Sequence, residues 1–285
     1  MVARGLGLVA FREGHLDEAE RRLHHALVCH ERAKEPEPLG LTLNCAGIAA
    51  AFSGRVDEGI GFLRRSFELY REHGPRPPMH RPLVNLGLLY RRTGRLEAAA
   101  ECLREALAIA EANDHRPGIA QALYGLACLC RDTGQYGEAL DHGYRAVEIA
   151  RLGGFRFLEG LALNRLGTVH RCLHDHDRAA ACHREALALA RTTANPHLEV
   201  MSLNGLAGTP GADAVANYTE VLRLTENGDF AYARARALEG LGDVHDGAGD
   251  LVTATRQWRC ALDLFRGLDP AGADRVERKL AANGG

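Results

Sequence analysis

Lysine is nearly missing from this chain. Of its 35 basic residues only Lys34 and Lys279 are lysines. Neither follows a glycine, which excludes a Walker-type loop, where a lysine must reach the nucleotide phosphates. Serine is almost as scarce. Ser53 abuts a turn glycine, Ser66 replaces an alanine in a recurring series, and Ser202 lies beside an irregular segment. None sits in a G-x-S-x-G elbow. There is no H-E-x-x-H zinc motif and no glycine-rich dinucleotide loop after a strand, so neither enzymatic activity nor a cofactor is expected. The net charge is only −2, which removes the electrostatic case for direct binding to nucleic acid or to a membrane surface. Long apolar runs are missing too. The longest uncharged stretch, Pro38 to Gly54, approaches the length of a membrane span but carries Asn44 and keeps the register of its neighbours. It reads as a buried helix. The opening residues MVARGLGLVA run into charge and do not read as a secretory signal. With eight cysteines inside helical patterns, the expectation is a cytoplasmic protein with free thiols.

What is present is a period. Gly7, Gly47, Gly87, Ala127, Gly167 and Ala207 are spaced by 40 residues. Ala19, Gly59, Ala99, Ala139 and Ala179 keep the same step, as do Ala26, Ser66, Ala106, Ala146 and Ala186. Small residues at fixed offsets mark close helix crossings, because a larger side chain would push the helices apart. A period of this size predicts an array of stacked helix pairs. In residues 82–110, Val84, Leu86, Leu89 and Tyr90 have helical spacing, Gly94 stops the first helix, and Leu96 to Ala110 form a second amphipathic one. Turn glycines recur as Gly14, Gly54, Gly94, Gly134 and Gly249, with His174 in the same place once. Pro36, Pro77, Pro117 and Pro196 open new first helices.

The predicted architecture is all-α: a right-handed superhelical α-solenoid of about seven helix pairs and a capping helix. It runs as one array over 1–285. The repeats fall at about 1–35, 36–75, 76–115, 116–155, 156–195, 196–228 and 229–268, with the cap at 270–282. The sixth is irregular. Ala207 to Ala214 is seven residues where Gly87 to Ala99 is twelve, so its first helix is cut short. Arg275, Glu277, Arg278 and Lys279 suit a polar cap.

The offsets resemble those of the tetratricopeptide repeat: leucine–glycine at Leu86-Gly87, a small residue twelve on at Ala99, another seven on at Ala106. Tyr90 fits the aromatic position after the glycine, and Tyr218 and Trp258 fit that of the second helix. The period of 40 exceeds the usual 34. With phrases such as TLNCAG, ALNRLG and GRLEAAAECLREALAIA, this longer variety is similar to the C-terminal sensor arrays of actinobacterial-type antibiotic-regulatory transcriptional activators. That resemblance implies a non-enzymatic module that binds a protein, a peptide or another domain of a parent regulator, and receives a signal. Because Met1 already falls inside the first helical pattern, the chain reads as a domain of a longer protein. A stand-alone scaffold or adaptor is the alternative.

In such arrays the first helices line the concave face, which places groove positions three before each small anchor residue and one, four and five after it. These are Phe11 and Arg12 in the first repeat, Asn44 and Phe52 in the second, and Arg91 and Arg92 in the third. Tyr124 and Arg131 follow in the fourth, Asn164 and Arg171 in the fifth, and Asn204 in the sixth. The arginine row suits an acidic segment or a chain terminus through bidentate pairing, although arginine at a helix end also caps carbonyls. The asparagines suit an extended peptide backbone. In the seventh repeat Glu239, Asp243 and Asp246 make the row acidic. A further alternative is a metal- or redox-responsive module built from His170, Cys172, His174, His176, Cys182 and His183. Their spacing matches no finger, so a solvated turn plus packed thiols is the expected reading, and no metal site is assigned. Cys128 and Cys130 point to different faces of one helix and make a weak pair.

Overall fold

The structure, a computed structural model, describes residues 16–73, 79–227 and 230–283. Phe11, Arg12, Gly14 and Pro77 lie outside the described residues. Among the described residues there are fourteen α-helices and no strand. We number them α1 (Leu16–Ala33), α2 (Pro36–Phe52), α3 (Val56–Glu72), α4 (His80–Arg92), α5 (Leu96–Ala112), α6 (Arg116–Asp132) and α7 (Tyr136–Leu152). The series continues with α8 (Arg156–Cys172), α9 (His176–Thr192), α10 (Pro196–Ala207), α11 (Ala214–Leu224), α12 (Ala231–Gly247), α13 (Leu251–Phe265) and α14 (Pro270–Ala282). Contacts divide the chain into two compact units, residues 1–165 and 166–285. Successive helices pack on one another from α1 to α7 and from α9 to α14, and alternate helices α2, α4 and α6, or α10 and α12, also touch. Each unit is thus a stack of helix pairs, as the period requires.

The turns explain where the helices stop. Gly54, Gly94, Gly134 and Gly249 have φ between +75° and +82°, a left-handed conformation that costs glycine nothing. His174 takes the same conformation at φ +60°, so the break survives the loss of glycine. Between repeats, Lys34, Asp114, Gly154 and Ala194 are also left-handed, the last three 40 residues apart and the first two separated by 80. Side chains then cap the helices that follow: Asn195 Oδ1 accepts from Leu198 N at 3.0 Å, and Asp250 Oδ1 from Thr253 N at 3.1 Å.

The small residues do what their spacing predicts. A β-carbon at Gly59 would lie 2.7 Å from the carbonyl oxygen of Gly47, so α2 and α3 cross with backbone against backbone. A second rule appears only in three dimensions. Leu103 of α5 is a knob wedged between Gly87 of its own pair and Gly125 of the next: a β-carbon would stand 2.5 Å from its Cγ at the first and 2.4 Å from its Cδ2 at the second. In the other unit His183 is the equivalent knob, set between Gly167 and Gly205 and 1 % exposed. Trp258 fills the same role against Gly242. Gly87→Val is therefore expected to destabilise the protein by ~1–3 kcal/mol through overpacking, read as a lower urea midpoint, while the exposed Glu68→Gln stays within ~0.5 kcal/mol.

The irregular sixth repeat is shortened in both helices. α10 has 12 residues and α11 has 11, against 17 in α5, α6 or α7. The cut in α10 follows from the missing residues around Gly208 to Ala212. The early end of α11, at Thr225, had no signal in the spacing.

Candidate functional site

In the first unit α2, α4 and α6 bring their groove-facing residues together. One contact rule recurs along this layer: a residue meets the one 41 positions later. Asn85 Nδ2 donates to Asn44 Oδ1 at 2.8 Å. Arg91 pairs with Asp132. The guanidinium of Arg165 lies 5.7 Å from the centroid of the Tyr124 ring, within cation–π reach. These pairings commit several of the expected ligand-binding groups to the protein itself. The Asn44 carbonyl is occupied by Asn85. The Asn204 amide, in the second unit, donates to Ala233 O at 3.0 Å. Arg92 stacks 5.5 Å from the centroid of the exposed Phe52 ring. Asn164 is buried and Arg171 half-buried.

The electrostatic centre is Asp132. Its Oδ1 accepts from Arg131 Nε at 2.7 Å and its Oδ2 from Arg91. Burial alone would raise its pKa; Arg131 and Arg91 outweigh that and hold the carboxyl below its ordinary value. Asp132 is also one of the charges that hold Arg165 protonated. Burial opposes that guanidinium, but Cys128, Tyr124 and Asp132 raise its pKa on balance. In turn, burial and Cys128 raise the Tyr124 phenol while Arg165 opposes them. Two guanidinium groups therefore share one carboxylate, and a third, Arg165, stacks on Tyr124 close enough to feel its charge. Among the described residues, the Nε–H groups of Arg91 and Arg165 are buried without a hydrogen-bond partner, a state that normally calls for an explanation. The arrangement can take a second anionic group.

Sequence reasoning placed Arg91, Arg131 and Tyr124 in this layer but missed Arg165 and the Asp132 bridge. The 41-residue offset was the available signal. It joins the position three before one small anchor to that two before the next, as in Tyr124 and Arg165, or four after one to five after the next, as in Arg91 and Asp132; the position two before the anchor, where Arg165 sits, was not among the groove positions.

The repeat-five cluster does not converge. His170 faces Asp175, with Nδ1 to Oδ2 at 3.7 Å. His174 and His176 meet edge to face at the turn. His183 is a packing knob, and burial pushes the Cys182 thiol up to about 11. Among the described residues, the one group of three metal-ligating atoms within 4.8 Å of one another is Cys130, Glu138 and His142, in the preceding repeat. All eight cysteines are free.

Sequence profiles described as tetratricopeptide repeat match residues 38–112 and 78–152, and another of the same description matches 161–197. Together they span more than half of the chain, which belongs to the tetratricopeptide repeat family. No curated protein sequence matches it. Among solved structures it is similar to a Rap protein complexed with competence and sporulation factor (TM-score 0.77, 14% identity, 99% of this chain and 75% of that one). It is also similar to the Rap conjugation gene regulator of plasmid pLS20 in complex with the Phr* peptide (0.72, 14%, 98% and 75%). A tetratricopeptide repeat protein from Parabacteroides merdae matches at 0.59, with 13% identity over 99% of this chain and 98% of that one. At these identities the likeness is one of fold. No helix among the described residues is long and apolar enough to cross a membrane.

Proposed function

We propose that this chain is the peptide- or protein-binding sensor array of a bacterial regulator, and that its first unit holds an acidic segment or a chain terminus on Arg91, Arg131 and Arg165. The observation that carries the reading is the charge imbalance around Asp132: three guanidiniums, one carboxylate and two buried, unpartnered Nε–H donors. A ligand carboxylate placed there would satisfy those donors and balance the excess charge. Family membership supports a binding role, since its helix stacks present extended surfaces. The pLS20 regulator, similar in fold, holds a peptide. A bound ligand would act by favouring one arrangement of the stack over another.

The test is selection from a random peptide library, followed by titration of a fluorescently labelled selected peptide. Selected sequences are expected to be rich in Asp and Glu or to depend on a free carboxyl terminus. Arg165→Met should weaken binding at least tenfold and flatten its salt dependence, with helicity unchanged by circular dichroism. Arg91→Glu with Arg131→Glu should abolish it. Peptides that bind the Arg165→Met protein with unchanged affinity and salt dependence would show that these arginines only cap and pack.

A further inference from the structure

The ligating trio found above shares no residue with the arginine layer. Cys130 stands near the end of α6, and Glu138 and His142 are one turn apart on α7, the second helix of the same pair. Residues four apart share a helix face, so the fold aims a carboxylate and an imidazole at one thiol. The three ligating atoms lie within 4.8 Å of one another, and Cys130 Sγ is 3.9 Å from Glu138 Oε2. They border a cleft of about 590 Å³ between α5 and α7, roomy enough for an ion and a water.

The geometry points to a binding site for a zinc-class divalent cation here, with Cys130, Glu138 and His142 as ligands and water in the fourth position. The donor set is the first reason. One sulfur, one nitrogen and one oxygen suit the borderline-soft, tetrahedral zinc ion and not magnesium or calcium, which take six or more oxygens. Zinc bond lengths bring ligand atoms to roughly 3.5 Å of one another, a small contraction that the exposed Glu138 side chain can supply.

The surroundings are the second reason. Gln135 Nε2 donates to Glu138 Oε1 at 3.2 Å, and Thr133 Oγ1 donates to Gln135 Oε1 at 2.8 Å. One carboxylate oxygen is thus anchored by a relay while the other faces the thiol, as outer contacts position metal ligands elsewhere. His142 Nδ1 is buried and has no hydrogen-bond partner among the described residues. The charges also match. Thiolate and carboxylate together offset a divalent ion, and Glu97 and Glu101 on the cleft wall add negative potential against the cations Arg104 on that wall and Arg145 on α7. Binding replaces the thiol proton, which leaves to solvent: Cys130 S–H and the cation give a metal–thiolate bond and one proton. Because the thiol must lose its proton to bind, affinity should rise with pH.

Occupied, the site would tie the end of α6 to the first turns of α7 and stiffen that pair. The test uses the full chain, stripped with chelator and titrated with cobalt(II) as a spectroscopic stand-in and with zinc(II) in competition. One equivalent of cobalt is expected to give a thiolate charge-transfer absorption that zinc removes, and zinc should raise the unfolding temperature. Glu138→Gln, a change at an exposed position, should weaken binding at least tenfold, and Cys130→Ser and His142→Ala should abolish both signals with helicity intact. Cys29→Ser is the control, because exposed Cys29 lies 3.7 Å from His25 Nε2 and offers an adventitious site. Absence of the absorption, its survival in Glu138→Gln at wild-type affinity, or its loss in Cys29→Ser would overturn the assignment.

Discussion

Trp258→Ala is expected to cost ~3–5 kcal/mol, the range for deleting a large buried aromatic side chain. Trp258 is the chain's single tryptophan and is 1 % exposed. It packs with Ala235, Ala254, Ala261 and Phe265 in one core that joins α12, α13 and α14. Gly242 leaves room for the ring: a β-carbon there would fall 2.4 Å from the indole Cδ1 and Nε1. The ring's one polar group is satisfied, with Nε1 donating to Asp243 Oδ1 at 3.0 Å. Truncation therefore leaves a cavity in a core shared with Leu238, Leu262, Phe265 and Val276, whose helices would have to shift to fill it. Asp243 keeps Lys279 as a partner at 2.6 Å, so the loss is one of packing. Urea unfolding followed by circular dichroism measures it, and Trp258→Phe should recover roughly half. A cost below ~1 kcal/mol would mean that glycine–knob complementarity does not hold this unit together.

Glu239→Gln should lower stability by ~2–3 kcal/mol at pH 7 and by almost nothing near pH 2. Glu239 is 4 % exposed on α12. Arg275 reaches it from α14 through Nε at 2.6 Å and a second nitrogen at 2.8 Å; Lys279 Nζ adds a contact at 3.0 Å and Arg236 one at 3.2 Å. Burial alone would raise this carboxyl, but Arg275, Lys279 and then Arg236 bring it down to about 2. Its ordinary value is 4.5, so the unfolded chain takes up the proton first as pH falls. The stabilisation is complete above about pH 5 and is lost progressively as pH drops towards 2. The full linkage would be ~3.4 kcal/mol at 1.36 kcal/mol per pH unit; the cationic partners are about a third exposed and solvent screens part of it. Trp258 fluorescence, from the same core, reports the transition. Equal destabilisation of the variant at pH 7 and pH 2 would show that Glu239 contributes by shape and not by charge.

This clamp alters the reading of the last repeat. Glu239 and Asp243 stood out in the sequence as an acidic stretch of groove, and Arg275 and Lys279 as a polar cap. The structure pairs the two sets, so the chain's own C-terminal helix covers the acidic row. The basic row of the first unit has no such cover among the described residues. Arg91 and Arg131 meet one aspartate, and Arg165 meets an aromatic ring. A similar shift moved the metal-ligating question from repeat five to repeat four. His183 was one of six residues weighed as metal ligands and set aside. Its place in the period, 16 residues after Gly167 as Leu103 is after Gly87, marked it as a knob. Glu138 and His142 carried a clear four-residue spacing, but Cys130 joined them only through the turn at Gly134.

Read alone, the residues determined the all-α class, the pairing of helices, the left-handed turns including the one at His174, and the short α10. Each of these depends on local spacing, which a repeat writes many times over, so chance matches at single positions cancel. Tertiary structure decided which polar side chains meet: Arg91 with Asp132, Arg165 with Tyr124, Arg275 with Glu239, Cys130 with Glu138 and His142. Those meetings depend on how far one helix pair is rotated and displaced against the next, and on which rotamer a long side chain adopts. Neither quantity has a period that the sequence can display.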